Sequence, residues 1–297
     1  MKIREVAIIS GKGGTGKTSI TASFAVLSKN CVVADCDVDA PNLHLLLNPK
    51  ETERKPFFGE KKAKIINEKC AYCGTCLNLC AFGVIEEVFK DGKLQLSVDP
   101  LLCDGCGVCF RFCPYSAIEF NEEESAYFVV SNTRCGPMVH AQMESGSGNS
   151  GKLVGTIKEK AREIAKEGGF DFVLVDGPPG LGCPVISSIS GSSETILITE
   201  PTLSAISDLK RILDLLSKFK IKASVIINKF DLNLALSEQI KTFCQTSGVN
   251  FLGEISFDPQ IPLFQSEKLT PVEAEGNSAL QIKSIYDKIF SDFSKED

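Results

Sequence analysis

The chain has 297 residues and a formal net charge of −6 at pH 7, with 43% hydrophobic and 24% charged residues. This length accommodates one large domain plus a small module, and the composition is typical of a soluble globular protein. The acidic balance disfavours a nucleic-acid binder with a broad basic surface. No apolar run reaches the roughly 18 residues that a membrane span needs, and no signal-peptide core precedes Val6, so we expect a cytoplasmic protein.

The first predicted strand, Val6–Ser10, leads into a glycine-rich loop, and a helix is predicted from Gly16 to about Lys29. Further apolar runs bounded by turn residues predict strands at Cys31–Asp35, Phe172–Asp176, Thr195–Thr199, Val225–Asn228 and Phe251–Ile255, with a helix over Ser204–Phe219. Alternating strands and helices predict an α/β fold, in which helices cover both faces of a mainly parallel sheet.

That alternation stops between about Lys50 and Val130. The charged, irregular segment Lys50–Lys64 predicts a linker. From about Ile65 to Phe120 the chain repeats itself with an offset of 33 positions, and Val84-Ile85 recurs as Ala117-Ile118. Two copies of one small unit predict a duplicated α+β module inserted in a loop, with domains at residues 1–55, 56–125 (the insertion) and 126–297. The Gly/Ser-rich run at 145–151 predicts a linker or a mobile loop.

Eight of the thirteen cysteines form two C-x₂-C-x₂-C-x₃-C motifs, and Pro114 follows the second. Cytoplasmic thiols stay reduced, so metal ligation is favoured over disulfides. The spacing is typical of bacterial ferredoxins with [4Fe–4S] clusters, in which the fourth cysteine of each motif ligates the cluster of the other. We therefore assign one cluster to Cys70, Cys73, Cys76 and Cys113, and the other to Cys103, Cys106, Cys109 and Cys80. Zinc is disfavoured, because zinc sites usually use two separated pairs.

A phosphate-binding loop is predicted where residues 11–18 follow a strand and open a helix. Its backbone N–H groups can surround phosphate oxygens, and the helix adds the positive end of its dipole. Lys17 is expected to reach the β- and γ-phosphates, and Thr18 to ligate Mg²⁺. The predicted nucleotide-binding residues in this loop are Gly11, Lys12, Gly13, Gly14, Thr15, Gly16, Lys17 and Thr18.

Lys12, a second lysine just after the first glycine, resembles the deviant Walker A motif of the MinD/ParA/nitrogenase iron protein superfamily. The resemblance implies an ATP-dependent dimer of the chain with itself or a close paralogue, in which Lys12 reaches the partner's nucleotide and stabilises transition-state charge. Val32–Asp39 resembles switch I, which gives Asp37 the role of orienting the attacking water. Lys12, Lys17 and Asp37 are therefore the candidate catalytic residues.

Two further segments resemble the same superfamily. Phe172–Gly180 resembles a Walker B strand running into switch II, which implies that Asp176 holds Mg²⁺. Asn228 occupies the position that reads adenine in these ATPases. The run from Asn228 to Asp231 also fits the NKxD pattern of GTPases, in which the aspartate selects guanine; Lys12 favours ATP.

Cys183 lies in the predicted switch II, where the nitrogenase iron protein has a cluster ligand shared across its dimer. The segment matching that family's second ligand has Asn149 in place of cysteine, so Cys135 or a partner protein would have to substitute. Both cysteines could instead be packing residues. Cys31, Cys36 and Cys244 are interpreted as structural, and His44 and His140 as local hydrogen-bonding residues. The C-terminal amphipathic pattern is expected to pack on the ATPase core; its apolar positions are Leu280, Ile282, Ile285, Tyr286, Ile289, Phe290 and Phe293.

The whole chain resembles MinD-superfamily ATPases that contain an inserted ferredoxin domain. This implies ATP, Mg²⁺ and two [4Fe–4S] clusters as cofactors, and a cycle in which nucleotide-driven dimer closure controls delivery of an electron or a metal–sulfur cluster to an acceptor protein. A second hypothesis is a scaffold or maturation factor with a transient cluster at Cys183 and Cys135. A third is a redox-sensing positioning ATPase like MinD or ParA.

Overall fold

The computed structural model describes residues 3–90, 92–143, 150–274 and 276–290. Contacts divide the chain into two compact units. The first contains the described parts of Met1–Lys55, Phe128–Gln142 and Ser150–Asp297, and the second contains Pro56–Tyr127 together with Met143. Most of the Gly/Ser-rich run lies outside the described residues; Ser150 and Gly151 begin a helix.

The strands are β1 (Arg4–Ser10), β2 (Cys31–Asp35), β3 (Lys50–Ile65), β4 (Ile85–Lys90), β5 (Lys93–Val98), β6 (Ile118–Thr133), β7 (Gly136–Met143), β8 (Phe172–Pro179), β9 (Glu194–Thr199), β10 (Ala223–Asn228) and β11 (Asn250–Ile255). The helices are α1 (Lys17–Ser28), α2 (Leu43–Leu47), α3 (Thr75–Leu79), α4 (Val108–Arg111), α5 (Ser150–Gly168), α6 (Cys183–Ile189), α7 (Leu203–Lys218), α8 (Leu234–Thr246), α9 (Ile261–Ser266) and α10 (Asn277–Phe290). Every strand predicted from an apolar run lies within an observed strand, which confirms those predictions.

Within the described residues, one sheet has the strand order β11-β10-β9-β1-β8-β2-β7-β6-β3. Strands β1, β2 and β7 to β11 pair in parallel, for example with Val6 opposite Leu174. Because side chains alternate along a strand, Val6 and Ile8 pack with α1 and α10, whereas Ile9 lies near Ser188 of α6 on the other face. The predicted α/β fold with helices on both faces of a mainly parallel sheet is confirmed.

The prediction of a linker at Lys50–Lys64 was wrong, because this segment forms the long strand β3. Its buried residues are Phe57, Gly59, Ala63 and Ile65, and most of the residues between them are charged and at least partly exposed. β3 is the last strand in the sheet order. Lysine side chains and Pro56 are tolerated at an edge strand. The many charges on the solvent side concealed the two-residue period of the buried side.

The second unit repeats its backbone as well as its sequence. Left-handed residues recur with the same offset of 33: Tyr72 and Gly105, Gly74 and Gly107, Gly83 and Ser116. Helices α3 and α4 each begin directly after one of these glycines. Two matching hydrogen bonds also recur, from Ile66 N to Ala117 O at 2.8 Å and from Asp99 N to Val84 O at 2.9 Å. The sequence repeat is therefore also a structural repeat.

Helix α10 packs on the core of the first unit, as its amphipathic pattern predicted. Ile282, Ile285 and Ile289 are buried, and the Phe290 ring stacks on Phe172 with centroids 4.8 Å apart. Phe293 lies outside the described residues. Among the helices of the described residues, none is both long enough and apolar enough to cross a membrane.

Candidate functional site

The loop between β1 and α1 has the backbone of a phosphate cradle. Gly14 and Gly16 have φ of +78° and +87°, which side-chain-bearing residues rarely adopt. A Cβ on Gly16 would lie 2.3 Å from Asn228 Nδ2, so glycine is also required sterically. Helix α1 begins at Lys17, and the free N–H groups of its first turn face this loop.

Asp176 of β8 contacts three polar side chains of α1. Lys17 Nζ lies 2.8 Å from Asp176 Oδ1, and Thr18 Oγ1 donates to Asp176 Oδ2 at 2.9 Å. Thr21 Oγ1 also donates to Asp176 Oδ1 at 2.9 Å. Lys17 is only 6% exposed and Asp176 is fully buried. The two predicted Mg²⁺ ligands, Thr18 and Asp176, are therefore in direct contact beside the predicted phosphate-binding lysine.

Asp37 also lies near the Lys17 ammonium, with Oδ2 3.6 Å from Nζ. Burial raises the pKa of the Asp37 carboxyl, and the Lys17 charge opposes that rise. Burial alone would lower the pKa of Lys17, but Asp176, Asp37 and Asp35 together raise it. The structure thus brings Lys17 and Asp37, two of the predicted catalytic residues, to one charged cluster.

Asp35 restrains the loop that carries Asp37. Its Oδ1 accepts from Asp37 N at 3.2 Å, and its Oδ2 accepts from Leu43 N at 3.3 Å, so one carboxyl ties together the two ends of the loop after β2. Burial, with the nearby charge of Asp176, raises the pKa of Asp35 to about 8. The sequence placed Asp35 only at the end of a predicted strand, but its carboxyl shapes the loop that carries Asp37.

A cavity of ≈ 730 Å³ opens above the loop. Residues 13–19, Asp37 and Asn228 line one side of it, and segments after β11 form another wall with Phe257, Ile261 and Gln265. The buried Thr15 Oγ1 has no hydrogen-bond partner among the described residues. A cavity of this size with convergent polar groups is typical of a nucleotide-sized ligand.

Lys12 points toward its own subunit in this structure. Its Nζ lies 2.8 Å from Glu200 Oε1 and donates to Thr202 Oγ1 at 3.2 Å and to Ser204 Oγ at 3.3 Å. The side chain remains 34% exposed. Lys12 therefore lies apart from the Lys17–Asp37 cluster, at the end of β9.

Asn228 and Lys229 follow β10 and support the loop. Asn228 Nδ2 donates to Thr15 O at 2.8 Å, and its Oδ1 accepts from Lys229 N at 3.0 Å. Lys229 Nζ donates to Gly14 O at 2.8 Å and lies 3.4 Å from Glu200 Oε2. Asp231 Oδ1 accepts from Phe257 N at 2.7 Å. Asn228 lines the cavity, although both polar atoms of its amide already bond within the protein.

Thr21, Glu200 and Lys229 are site residues that sequence reasoning missed. Glu200 and Lys229 directly follow β9 and β10, where carboxyl ends of parallel strands meet, so their position was a usable signal. Thr21 is one helical turn after Lys17 and shares its helix face. Their partners could not be found without the strand order.

Among the described residues of the second unit, two small cavities are each lined by four of the motif cysteines. The first is lined by Cys70, Cys73, Cys76 and Cys113. The second is lined by Cys80, Cys103, Cys106 and Cys109. Each quartet combines three cysteines of one half with the last cysteine of the other, since the repeated halves pack together.

Hydrogen bonds to sulfur are found in the first quartet. Ala117 N donates to Cys113 Sγ at 3.4 Å, and Cys73 Sγ lies 3.3 Å from Thr75 Oγ1. In the second quartet, Lys62 Nζ donates to the carbonyl oxygen of Cys103. The two contacts to sulfur restrain the Cys73 and Cys113 thiols of the first quartet.

Within the described residues, no group of three or more His, Cys, Asp or Glu side chains is close enough to hold one metal ion. A cubane differs from a single ion, because its four cysteines bind four separate irons around the cluster. Four thiols that line a cavity have the number and chemistry of donors that such a cluster uses.

Cys183 and Cys135 do not form one site within the chain, which corrects the expectation that Cys135 could complete a cluster with Cys183. Cys183 is exposed and follows the carboxyl end of β8. Cys135 is buried and precedes β7, whose pairing with β2 places this cysteine at the amino edge of the sheet beside Cys31. Burial raises the pKa of the Cys135 thiol.

The remaining cysteines and histidines are in the interior or pair locally. Burial raises the pKa of Cys31 to about 12 and that of Cys244 to about 11, and it also raises the pKa of Cys36. His140 Nε2 lies 3.3 Å from Ser131 Oγ, and its ring stacks on His44. These contacts agree with structural and local hydrogen-bonding roles.

Most of the chain matches a known family of nucleotide-binding domains. The family model of the CobQ/CobB/MinD/ParA nucleotide binding domain matches residues 6–272. An uncharacterized protein of Methanocaldococcus jannaschii is 36% identical over 97% of this chain and 96% of its own length. The iron–sulfur cluster carrier protein of the same organism is 23% identical over 70% of this chain and 53% of its own length.

Among solved structures, the septum site-determining protein MinD of Pyrococcus horikoshii, complexed with Mg-ADP, has a TM-score of 0.55 and 19% identity, covering 97% of this chain and 96% of that one. The fold and the geometry of the loop are consistent with the family match, which covers residues 6–272. The chain therefore belongs to the CobQ/CobB/MinD/ParA nucleotide-binding family and is a P-loop ATPase of the MinD/ParA type.

Proposed function

We propose that this ATPase uses Mg²⁺ and ATP, carries two [4Fe–4S] clusters, and couples nucleotide-driven closure of a dimer to delivery of an electron or a metal–sulfur cluster to an acceptor protein. One observation carries the proposal. A chain with a P-loop cavity also has two cavities, each lined by a cysteine quartet drawn from both halves of a duplicated unit.

In the proposed nucleotide site, Lys17 contacts the β- and γ-phosphates, and Thr18 and Asp176 hold Mg²⁺. The contact between Thr18 Oγ1 and Asp176 Oδ2 supports this assignment, because it holds two oxygen ligands within 2.9 Å of each other. Mg²⁺, when bound, neutralises charge on the phosphates. Asp37, beside the Lys17 ammonium, orients the attacking water.

We assign Lys12 to contact with the nucleotide of the partner, which is a second copy of this chain or a close paralogue. Its ammonium is partly exposed and is held by Glu200, Thr202 and Ser204. Reaching a partner requires it to exchange these oxygens for phosphate oxygens. The exchange is favourable only where the phosphates are present, which makes dimer closure dependent on ATP.

In the proposed cluster sites, Cys70, Cys73, Cys76 and Cys113 hold one cluster, and Cys80, Cys103, Cys106 and Cys109 hold the other. The clusters, when bound, supply one-electron transfer. The N–H of Ala117 and the hydroxyl of Thr75 then stabilise negative charge on two sulfurs of the first site.

Anaerobic quantitation of iron and sulfide tests the cluster assignment. The purified protein should contain about eight irons and about eight sulfides per chain. Cys76→Ser and Cys109→Ser each change a buried ligand of a different quartet, and each should lose about half of the iron. Cys244→Ser is the matched control, since this buried cysteine lies in helix α8 and outside both quartets. Zinc in place of iron and sulfide would overturn the assignment.

The coupling itself is tested by ATP hydrolysis. The rate of hydrolysis should differ between dithionite-reduced and oxidised protein, and Cys76→Ser should remove that difference. Identical rates in both redox states, with full iron content, would contradict the coupling while leaving the cluster assignment intact.

A cluster scaffold is a second candidate function. The exposed Cys183 and the similarity to an iron–sulfur cluster carrier protein favour it. Cys183→Ser should then abolish transfer of labile iron to an apo-ferredoxin without changing the iron in the quartets. Unchanged transfer would exclude the scaffold. Co-sedimentation with liposomes or DNA in the presence of ATP would instead indicate a positioning ATPase.

A further inference from the structure

Lys158 of α5 is a buried ammonium in the first unit, about two helical turns after the start of the helix. Its Nζ lies 2.9 Å from Glu5 Oε1, and both side chains are 2% exposed. The same Nζ donates to three carbonyl oxygens at the end of α6, at 2.9 Å to Ser187, 2.5 Å to Ser188 and 2.8 Å to Ser190. Lys158 thus joins three elements, β1, α5 and α6.

Glu5 completes this network on β1. Its Oε2 accepts from Arg162 Nε at 2.6 Å, and its Oε1 accepts from Ser192 Oγ at 2.8 Å. The backbone oxygen of Glu5 accepts from Ser193 N at 2.8 Å. Two cations and one carboxylate leave one net positive charge at the C-terminal end of α6. The last carbonyl oxygens there have no partner within the helix and carry partial negative charge.

The N-terminal end of α6 has a different construction. Cys183 is its first residue, and the preceding segment contains Gly180 and Gly182. Gly180 has φ of +93° and its Cβ position is open, while its N–H donates to Ser10 O at 2.9 Å. The segment 177–182 follows Asp176 directly and connects α6 to the nucleotide site.

The contacts of Lys158 explain why an ammonium is buried at this position. Burying an ion pair is costly compared with an apolar contact, so the pair does not simply add stability. An apolar side chain would leave Glu5 with Arg162 as its charge partner and would remove the ammonium donor from the carbonyl oxygens of α6. What the ammonium provides is a rigid, directional attachment of one helix end to the strand that leads into the P-loop.

We propose that Lys158 is a positioning residue that fixes the C-terminal end of α6, so that nucleotide-dependent movement of segment 177–182 turns α6 about this end and displaces Cys183. This rests on the proposed function in assuming that the segment responds to the nucleotide. Gly151 of α5 lies beside Cys183, at 3.6 Å between the Gly151 Cβ position and Cys183 Cβ. Displacement of α6 therefore changes how far α5 shields the Cys183 thiol.

Alkylation of Cys183 measures this displacement. The rate with iodoacetamide is followed by peptide mass spectrometry in anaerobically purified protein, with Mg-ADP and with a non-hydrolysable Mg-ATP analogue. The two rates should differ by at least about fivefold in the wild type, at the lower end of typical coupling between sites. Lys158→Met should bring the ratio of the two rates close to one, and Lys158→Arg should restore it, because a guanidinium also donates to carbonyls.

Lys160→Met is the matched control, since it removes an exposed ion pair with Glu163 from the same helix. It should retain the wild-type ratio. A Lys158→Met ratio equal to that of the wild type would overturn the role of Lys158 alone. A wild-type ratio near one would overturn the nucleotide-driven movement itself, and with it the closure mechanism proposed above.

Hydrogen exchange on the wild type provides a test that does not depend on the folding of a variant. Amides near Ser190 should exchange equally slowly with either nucleotide, whereas amides near Cys183 should differ. Equal changes at both ends of α6 would show that the C-terminal end is not fixed and would overturn the proposal.

Discussion

Replacement of Gly16 by alanine should strongly destabilise the nucleotide-free protein, for two reasons that can be separated. The left-handed backbone of Gly16 costs a residue with a Cβ about 1 kcal/mol or more. The new methyl would also lie 2.3 Å from Asn228 Nδ2 and would push the amide away from Thr15 O, with which it forms a buried 2.8 Å hydrogen bond. Loss of that bond adds about 1 to 3 kcal/mol.

The total loss of about 2 to 4 kcal/mol in the free energy of unfolding is measurable by urea denaturation followed by circular dichroism. Gly14→Ala is the matched control, because Gly14 has a similar φ of +78° but open space around its Cβ position. It should lose only the contribution of about 1 kcal/mol from backbone strain.

A double-mutant cycle with Asn228→Ala isolates the contact. Both single variants lose the same hydrogen bond, and the double variant no longer has the steric conflict. The double variant should therefore be less destabilised than the sum of the single variants by at least about 1 kcal/mol. Additive effects would refute the reasoning, since they would show that Gly16 and Asn228 do not constrain each other.

Three other expectations follow from single contacts. Glu200→Gln removes the charged partner of Lys12 and leaves its hydrogen bonds to Thr202 and Ser204. Acylation of Lys12 by acetic anhydride should become faster, while stability changes by less than about 1 kcal/mol. An unchanged rate would show that Glu200 does not restrain Lys12. Thr21→Val removes one hydrogen-bond donor to Asp176 and should lower kcat/KM for Mg-ATP about tenfold, as expected when a residue that orients a metal ligand is lost. Thr21→Ser keeps the hydroxyl and should preserve kcat/KM. Equal losses in both variants would point to packing instead. Burial lowers the pKa of His140 from 6.5 to about 4, so the unfolded chain binds the extra proton between these values, and up to about 3 kcal/mol of stability is lost as pH falls through this window. His140→Gln should flatten that part of the urea stability profile, and parallel profiles would contradict the assignment.

The P-loop and the parallel strands could be predicted because their signals are local. Short runs such as Val6–Ile9 are apolar throughout, since both faces of a central strand are buried. The glycines of the loop after β1 match the positive φ angles that this loop requires. The cysteine repeat was equally local, and its offset of 33 reappears in backbone conformation. Strand β3 was not predicted, because an edge strand carries charged residues on its exposed side and therefore lacks the continuous apolar run of a buried strand.

The amino-acid sequence by itself determined the glycine-rich loop, the apolar strands and the two cysteine motifs. Each of these depends on the residue types along a short stretch of chain. It did not determine which residues from distant parts of the chain contact each other across the sheet. Glu200 meets Lys12 because β9 lies beside β1, and Thr21 meets Asp176 because β8 lies on the other side of β1. Lys158 finds Glu5 and the end of α6 for the same reason. Short-range patterns set conformation and burial, whereas contacts between distant residues depend on strand order, and only the tertiary structure decides that order.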